Sequence, residues 1–166
     1  MPKSIIIKKN GGPEVLELQE VNIGSPSQDE IKVTNHAIGL NYIDTYHRSG
    51  LYPVKLPSGI GLEAAGKIDE VGSNVTEFNK GDNIAYASVP LGAYAQQRII
   101  PAKIVVKIPD GISYTQAATL MTKGLTTNLC IAWRLREVDR VDRARRGHCD
   151  VEDGPRRVAS VGQAAV

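Results

Sequence analysis

Short apolar runs separated by turn residues are the feature that most constrains how this chain folds. Glycine, proline, asparagine and serine clusters interrupt these runs from residue 4 to residue 108. Several runs alternate with a period of two residues, which is typical of half-buried β-strands. The runs are SIIIKK, VLELQEVNI, IKVTNHAIGL, AAGKIDEVGSNV, NIAYASV, YAQQRII and KIVVKIP. Many short strands with few helices predict a mainly β domain, a small barrel or sandwich.

Two segments of this region depart from the strand pattern. NYIDTYHRSG predicts one or two helical turns that end at Gly50, because glycine readily takes the left-handed conformation that closes a helix. DGISYTQAATLMTKGLTT carries an Ala-Leu-Met run after Ser113, which predicts a helix with Ser113 as its N-cap. The domain is therefore expected to contain short helices beside its strands.

Composition excludes several classes of function. The chain has 166 residues, 42% of them hydrophobic and 23% charged, which is ordinary for a globular protein. Its net charge of +2 gives no reason to expect nucleic acid or an anionic membrane as a partner. No apolar run approaches the roughly 20 residues that cross a bilayer, and the first residues are too weakly apolar for a signal peptide. We therefore expect a cytoplasmic protein.

The type of basic residue changes near residue 128. Residues 1–133 contain ten Lys and two Arg, whereas residues 134–166 contain eight Arg and no Lys. Fifteen of the sixteen isoleucines precede residue 128. The coincidence of these changes predicts a body of residues 1–127 and an Arg-rich tail of residues 128–166. Acids and arginines in the tail fall at helical spacing, which predicts a helix over about 129–146 followed by disorder.

Three common kinds of site find little support in the residues. Gly59-Ile60-Gly61 gives G-x-G, but Gly66 comes two places too late for a dinucleotide fingerprint and no helix follows. These glycines are better explained by a tight crossing of the backbone. The histidines and the two cysteines are not spaced for chelation, so no metal site is predicted. No G-x-S-x-G nucleophile elbow occurs.

Longer motifs identify a family. In order along the chain they are NGGPEVLELQEV, AIGLNYIDTYHRSGLYP, LPSGIGLEAAGKIDEVGSNV, KGDNIAYA, LGAYAQQRII and AATLMTKGLTT. Together they closely resemble the NADPH:quinone oxidoreductases of the medium-chain dehydrogenase/reductase superfamily, over about residues 3–127. The resemblance implies a GroES-like β-barrel domain. In that family a Rossmann domain binds NADPH, and substrate binds in the cleft between the two domains.

The resemblance also implies a metal-free mechanism and a set of site residues. Zinc members of the superfamily have a cysteine where this chain has Asn41 and a histidine where it has Leu62. In the zinc-independent branch, hydride passes from the nicotinamide directly to a quinone or a conjugated carbonyl, and protein groups position the two. The implied catalytic residues are Asn41, Tyr46 and Tyr52. The implied cofactor-binding residues are Asn41, Asp44, Tyr46 and Thr126.

The resemblance stops after Thr127. The tail has neither a βαβ pattern nor a glycine-rich phosphate loop, so the sequence predicts that the Rossmann domain is absent. The tail is either an evolved replacement or an out-of-frame or fused segment, and the simultaneous change in Lys, Ile and Arg favours the second explanation. We expect an N-terminal reductase fragment that by itself lacks meaningful activity and has little affinity for NADPH.

Two rival functions remain open, and the oligomeric state is a further expectation. The domain could act as a non-catalytic GroES-like interaction module through the face that the Rossmann domain covers in the family. RNA binding through the Arg-rich tail is disfavoured, because its charges are largely paired along the predicted helix. Family members are often homodimers, commonly through the cofactor domain, so the fragment is expected to be a monomer.

Overall fold

The computed structural model describes residues 1–128, so the helix predicted over about 129–146 and the disorder predicted after it lie outside the described residues. The chain divides into two units, Met1–Thr126 and Thr127–Val166. The strands are β1 (Lys3–Ile7), β2 (Glu17–Glu20), β3 (Glu30–Gly39), β4 (Ser58–Gly59), β5 (Glu63–Val71), β6 (Asn83–Ala87), β7 (Gln97–Pro101) and β8 (Val105–Lys107). Helix α1 spans Ile43–Ser49, and helix α2 is described over residues 114–128. Short 3-10 turns occur at Pro13–Val15 and Ala102–Ile104.

The strands form two open antiparallel sheets. One has the order β2-β1-β4 and the other β7-β3-β5-β6-β8. The sheets meet where Ser4 and Ala95 form an isolated bridge and the Ile5 N–H donates to the Tyr94 carbonyl at 2.8 Å. Every strand pair within residues 1–128 is antiparallel, so this part of the chain contains no βαβ unit of a Rossmann domain. The prediction of a mainly β domain is confirmed, with open sheets in place of a closed barrel.

Most of the core lies on one face of the larger sheet, and a second buried cluster of Ala65, Ala85, Ala117 and Ala118 joins the opposite face to α2. Ile31 and Val33 of β3 are fully buried, and they alternate with half-buried neighbours as the two-residue period predicts. The buried cluster around them is completed by Ala64, Ile68, Phe78, Ile84, Tyr86, Ala93, Ile100 and Val105. Burial of these side chains supplies most of the stabilisation that a small β domain needs.

The second predicted strand is shorter than its pattern indicates. The apolar run from Val15 to Ile23 predicts a long half-buried strand, but β2 includes only Glu17–Glu20. Val15 is buried in a 3-10 turn, whereas Leu18 is 63% exposed. Because β2 pairs only with β1, at the edge of the smaller sheet, its side chains have neighbours on one side only.

Local capping defines both helices. α1 ends at Gly50, whose φ of 85° is left-handed and whose N–H donates to the Tyr46 carbonyl at 3.1 Å. At the start of α2, Ser113 Oγ accepts from the Gln116 N–H at 3.3 Å, and Gln116 Oε1 accepts from the Ser113 N–H at 2.9 Å. This reciprocal pair is a capping box, and the predicted N-cap at Ser113 is confirmed.

The glycines of the G-x-G segment allow a close crossing of the backbone, as predicted. A Cβ atom on Gly59 would lie 2.8 Å from the Cα of Gly92. Gly61 has a φ of +88°, and a Cβ atom there would overlap the ring of Tyr94. The segment therefore serves packing between the two sheets, next to the turn that leads into β5.

Candidate functional site

Asn41 and Asp44 form the centre of the candidate site, where the chain passes from β3 into α1. Asn41 is 9% exposed and Asp44 4% exposed. The Asn41 backbone N–H donates to Asp44 Oδ2 at 3.0 Å, so the aspartate side chain closes the turn that starts α1. Two of the residues implied by the resemblance are thereby brought together, in largely buried positions.

Tyr94 is a second hydrogen-bond donor to the Asp44 carboxylate. Its phenol donates to the same Asp44 Oδ2 at 2.8 Å, while Asp44 Oδ1 is buried without a partner among residues 1–128. Burial disfavours the phenolate, and the hydrogen bond to Asp44 together with the charge of that carboxylate disfavours it further, so the pKa of Tyr94 is raised. Tyr94 therefore remains a hydrogen-bond donor throughout the neutral range.

Glu63 connects Asn41 to α2. It begins β5, lies opposite Gly39 in the register of β3 and β5, and is fully buried. Its Oε2 accepts from Asn41 Nδ2 at 2.7 Å, and its Oε1 accepts from the Thr122 backbone N–H at 2.7 Å. One carboxyl group therefore joins the end of β3, the start of β5 and the second helix.

A line of aromatic rings borders this centre. The rings of Tyr46 and Tyr52 meet edge to face with centroids 5.3 Å apart, and Tyr42 packs on Tyr46 at 5.2 Å. His47 lies 6.0 Å from Tyr52. Tyr52 is 47% exposed and Tyr42 is 75% exposed, so this patch offers ring faces and phenols to a ligand.

Thr126 is linked to this centre through α2. Its hydroxyl donates to the Thr122 carbonyl at 2.8 Å, one helical turn before it, and its side chain is exposed. The N–H of Thr122 is bound to Glu63 in turn. The structure thus places Asn41, Asp44, Tyr46 and Tyr52 in one region and connects Thr126 to Asn41 by way of Glu63.

Sequence reasoning missed two residues of this arrangement, Glu63 and Tyr94. The signal for Glu63 was present, because a carboxyl side chain in the small, apolar run GLEAAG is unusual and buried charges need partners. Tyr94 left no comparable signal, since it reaches Asp44 across 50 positions of sequence.

The cavities of the domain differ in how close they lie to the candidate site. A cavity of about 630 Å³, lined by Asp29, Asn74 and Phe78 among others, includes none of the site residues. A smaller groove of about 400 Å³ adjoins the site through Leu40, which precedes Asn41, and through Tyr94. Of these two, the smaller groove is therefore the one that borders the candidate site. Residues 1–128 hold no cluster of three or more His, Cys, Asp or Glu that could bind a metal ion.

Sequence comparisons match this chain to a known domain family and to quinone oxidoreductases. Residues 27–110 match the model of the alcohol dehydrogenase GroES-like domain. The quinone oxidoreductase of Pseudomonas aeruginosa is 52% identical over 128 residues, which cover 76% of this chain and 39% of that protein. Quinone oxidoreductase 1 of Escherichia coli is 49% identical over 127 residues, again 76% and 39% of the two chains.

The solved structures agree with the sequence relatives. The structure of Escherichia coli quinone oxidoreductase complexed with NADPH matches with a TM-score of 0.73 and 49% identity, covering 75% of this chain and 38% of that one. A Pseudomonas syringae quinone oxidoreductase matches with a TM-score of 0.74 and 50% identity over 76% and 39% of the two chains. The chain thus spans about two fifths of the length of these relatives. No helix among the described residues is long and apolar enough to cross a membrane.

Proposed function

The chain belongs to the alcohol dehydrogenase GroES-like domain family, and we propose that its residues 1–127 form the substrate-side domain of an NADPH-dependent quinone oxidoreductase. The reaction is hydride transfer to a quinone or a conjugated carbonyl, without a metal ion. The observation that carries the proposal is the line of tyrosine rings, exposed at Tyr42 and Tyr52, beside the buried Asn41–Asp44 pair. Relatives named quinone oxidoreductases, at about half identity over this region, support the same conclusion.

The residues of the site suit a planar, carbonyl-bearing ligand. The rings of Tyr46 and Tyr52 offer faces and edges against which a flat ring packs. Their phenols can donate a hydrogen bond to a carbonyl oxygen. We expect the exposed hydroxyl of Thr126 to contact a carboxamide or hydroxyl of the cofactor. NADPH, when bound, supplies the hydride, and these side chains hold the two reactants in register.

We expect the 166-residue chain by itself to have little activity and weak affinity for NADPH. The region shared with these relatives covers only about two fifths of their length. Binding energy from remote parts of a cofactor is what positions the reacting atoms, so losing such contacts lowers the rate as well as the affinity. We also expect the chain to be monomeric and cytoplasmic, with a small molecule as its substrate.

A second candidate function is a non-catalytic interaction module. The groove beside the site is lined by Ile5, Leu18, Ile38 and Leu40. Leu18 and Leu40 are 63% and 75% exposed, and clustered exposed leucines are typical of surfaces that bind another polypeptide. Under this alternative the groove, rather than the tyrosine line, carries the function.

Titration with NADPH distinguishes the two functions. The reductase proposal expects saturable binding, with a dissociation constant in the millimolar range or below, and slow oxidation of NADPH that requires added 1,4-benzoquinone. Tyr52→Phe removes one phenol of the site and should weaken quinone-dependent turnover. Tyr114→Phe is the matched control, because that phenol instead bonds Asn83 at the contact between α2 and β6. Absence of both binding and turnover would leave the interaction module as the better description.

A further inference from the structure

The carboxyl group of Glu63 determines which way the amide of Asn41 faces. An asparagine side chain has a donor end, Nδ2, and an acceptor end, Oδ1. Nδ2 is used by Glu63 Oε2 at 2.7 Å, and no residue within 1–128 donates to Asn41 Oδ1. The end of Asn41 that is available to a ligand is therefore its oxygen.

Close packing keeps Glu63 in place. Gly39 lies opposite Glu63, and a Cβ atom on Gly39 would come within 2.5 Å of Glu63 Oε2. The second carboxyl oxygen is held by the Thr122 N–H at 2.7 Å. With both oxygens occupied and the backbone this near, the carboxyl group has little freedom to turn. A buried group whose hydrogen bonds are all made fixes its partners as well.

We propose that Glu63 is a positioning residue that sets the polarity of Asn41, so that Asn41 accepts a hydrogen bond from an N–H or O–H group of the bound nicotinamide cofactor. The inference rests on the proposed function and refines it. Asn41 then does not donate to the carbonyl of the quinone, a task that falls to the phenols of Tyr46 and Tyr52. The same carboxyl group sets the position of Thr122 and hence of Thr126, one turn further along α2.

The substitution Glu63→Gln tests the polarity directly. The new amide has almost the same shape, and its oxygen can still accept from the Thr122 N–H. Its nitrogen then faces Asn41, which must turn its own oxygen inward and its NH₂ outward to keep the hydrogen bond. The ligand would meet a donor where it needs an acceptor, and NADPH affinity should fall about tenfold.

The double variant Asn41→Asp/Glu63→Gln is the matched rescue. It exchanges donor and acceptor between the two positions, keeps the net charge, and again presents an oxygen to the ligand. NADPH affinity should return to within about threefold of the unmodified chain. Asn41→Asp alone places two carboxyl groups against each other and should not rescue.

Two measurements on the 166-residue chain decide the question. Hydrogen exchange by NMR follows the Asn41 side-chain amide and the Thr122 backbone amide without any ligand. Titration with NADPH, followed by backbone amide shifts, gives the affinities. For Glu63→Gln we expect exchange of the Asn41 NH₂ to accelerate about tenfold while Thr122 stays protected, with affinity lost and then regained in the double variant.

Each other result overturns the inference in a different way. Unchanged exchange at Asn41 in Glu63→Gln shows that Glu63 does not orient it. Loss of protection at both Asn41 and Thr122 shows that Glu63 acts only as a support for packing. A reoriented amide with unaltered NADPH affinity shows that the polarity of Asn41 does not matter to the ligand. If the unmodified chain shows no shifts with millimolar NADPH, the proposed function and the ligand part of the inference fail, while exchange still decides the orientation.

Discussion

Replacing Gly39 with alanine should disturb the candidate site more than any neighbouring change of the same size. A Cβ atom at this position would overlap the carbonyl oxygen of Ala118 in α2 and lie 2.5 Å from Glu63 Oε2. Ordinary contact distance is about 3.5 Å, so at least about 1 Å of space must open between β3, β5 and α2. None of these neighbours is the end of a flexible surface chain.

The magnitude follows from two contributions. Overpacking a tight contact by one methyl group costs about 1–3 kcal/mol. The displaced carboxyl group of Glu63 also weakens its hydrogen bonds to Asn41 and Thr122, each worth about 1 kcal/mol. We expect Gly39→Ala to lower the free energy of unfolding by about 3 kcal/mol, which corresponds to a fall in Tm of roughly 10 °C.

Gly124→Ala is the matched control for this prediction. Gly124 lies within α2, and apart from the backbone of its own helix no atom of residues 1–128 comes within 4 Å of the position its Cβ would take. The same glycine-to-alanine change should therefore raise stability by up to about 1 kcal/mol, because alanine has the higher helix propensity. Urea unfolding followed by far-UV circular dichroism measures both variants. If Gly39→Ala unfolds within experimental error of the unmodified chain, the close approach of β3 to α2 is refuted.

Substitutions at three further positions test other parts of the domain. Ser113→Ala removes the capping box of α2 and should cost about 1 kcal/mol in urea unfolding, whereas Ser113→Asp should cost much less. Burial raises the pKa of Tyr86 and of Tyr94, and Asp44 raises that of Tyr94 further. Because the folded state holds these protons more tightly, the free energy of unfolding should be unchanged below pH about 10 and fall as the pH rises above it. Tyr94→Phe should make that fall smaller. Absorbance at the phenolate band, measured folded and in urea, should show both phenols ionising earlier when unfolded. Arg98→Met leaves the carbonyls of Pro90 and Leu91 without their buried donor and should lower the free energy of unfolding by about 1–3 kcal/mol. Arg98→Lys should lower it by less. A variant Arg98→Met that is more stable than the unmodified chain would contradict this.

The strand pattern was predictable because its cause is local. Apolar residues at every second position, interrupted by turn formers, leave a small domain little choice but strands that bury one face, as β3 does with Ile31 and Val33. The short helix that ends at Gly50 was predictable for the same reason, since only glycine closes such a turn without strain. The local pattern was wrong for Leu18, which it counts among the buried positions of β2 but which is exposed, because burial depends on where a strand lies within the sheet.

The candidate site was predictable as a set of residues but not as an arrangement. Asn41, Asp44, Tyr46 and Tyr52 lie close together in sequence, and the family resemblance drew attention to them as a group. Their hydrogen-bond partners come from elsewhere: Glu63 is 22 positions from Asn41. Which end of the Asn41 amide faces outward depends on that distant carboxyl group, so the orientation could not be predicted from neighbouring residues in the sequence.

The amino-acid sequence by itself thus determined the class of fold, the positions of its turns and caps, and the residues from which a site would be built. These follow from backbone preferences and from the spacing of apolar side chains, which act over a few residues. Only the tertiary structure decided that one buried carboxyl group joins β3, β5 and α2, and that it takes the donor of Asn41. Hydrogen bonds in a dry interior depend on which groups packing brings within about 3 Å, and packing is a property of the whole chain.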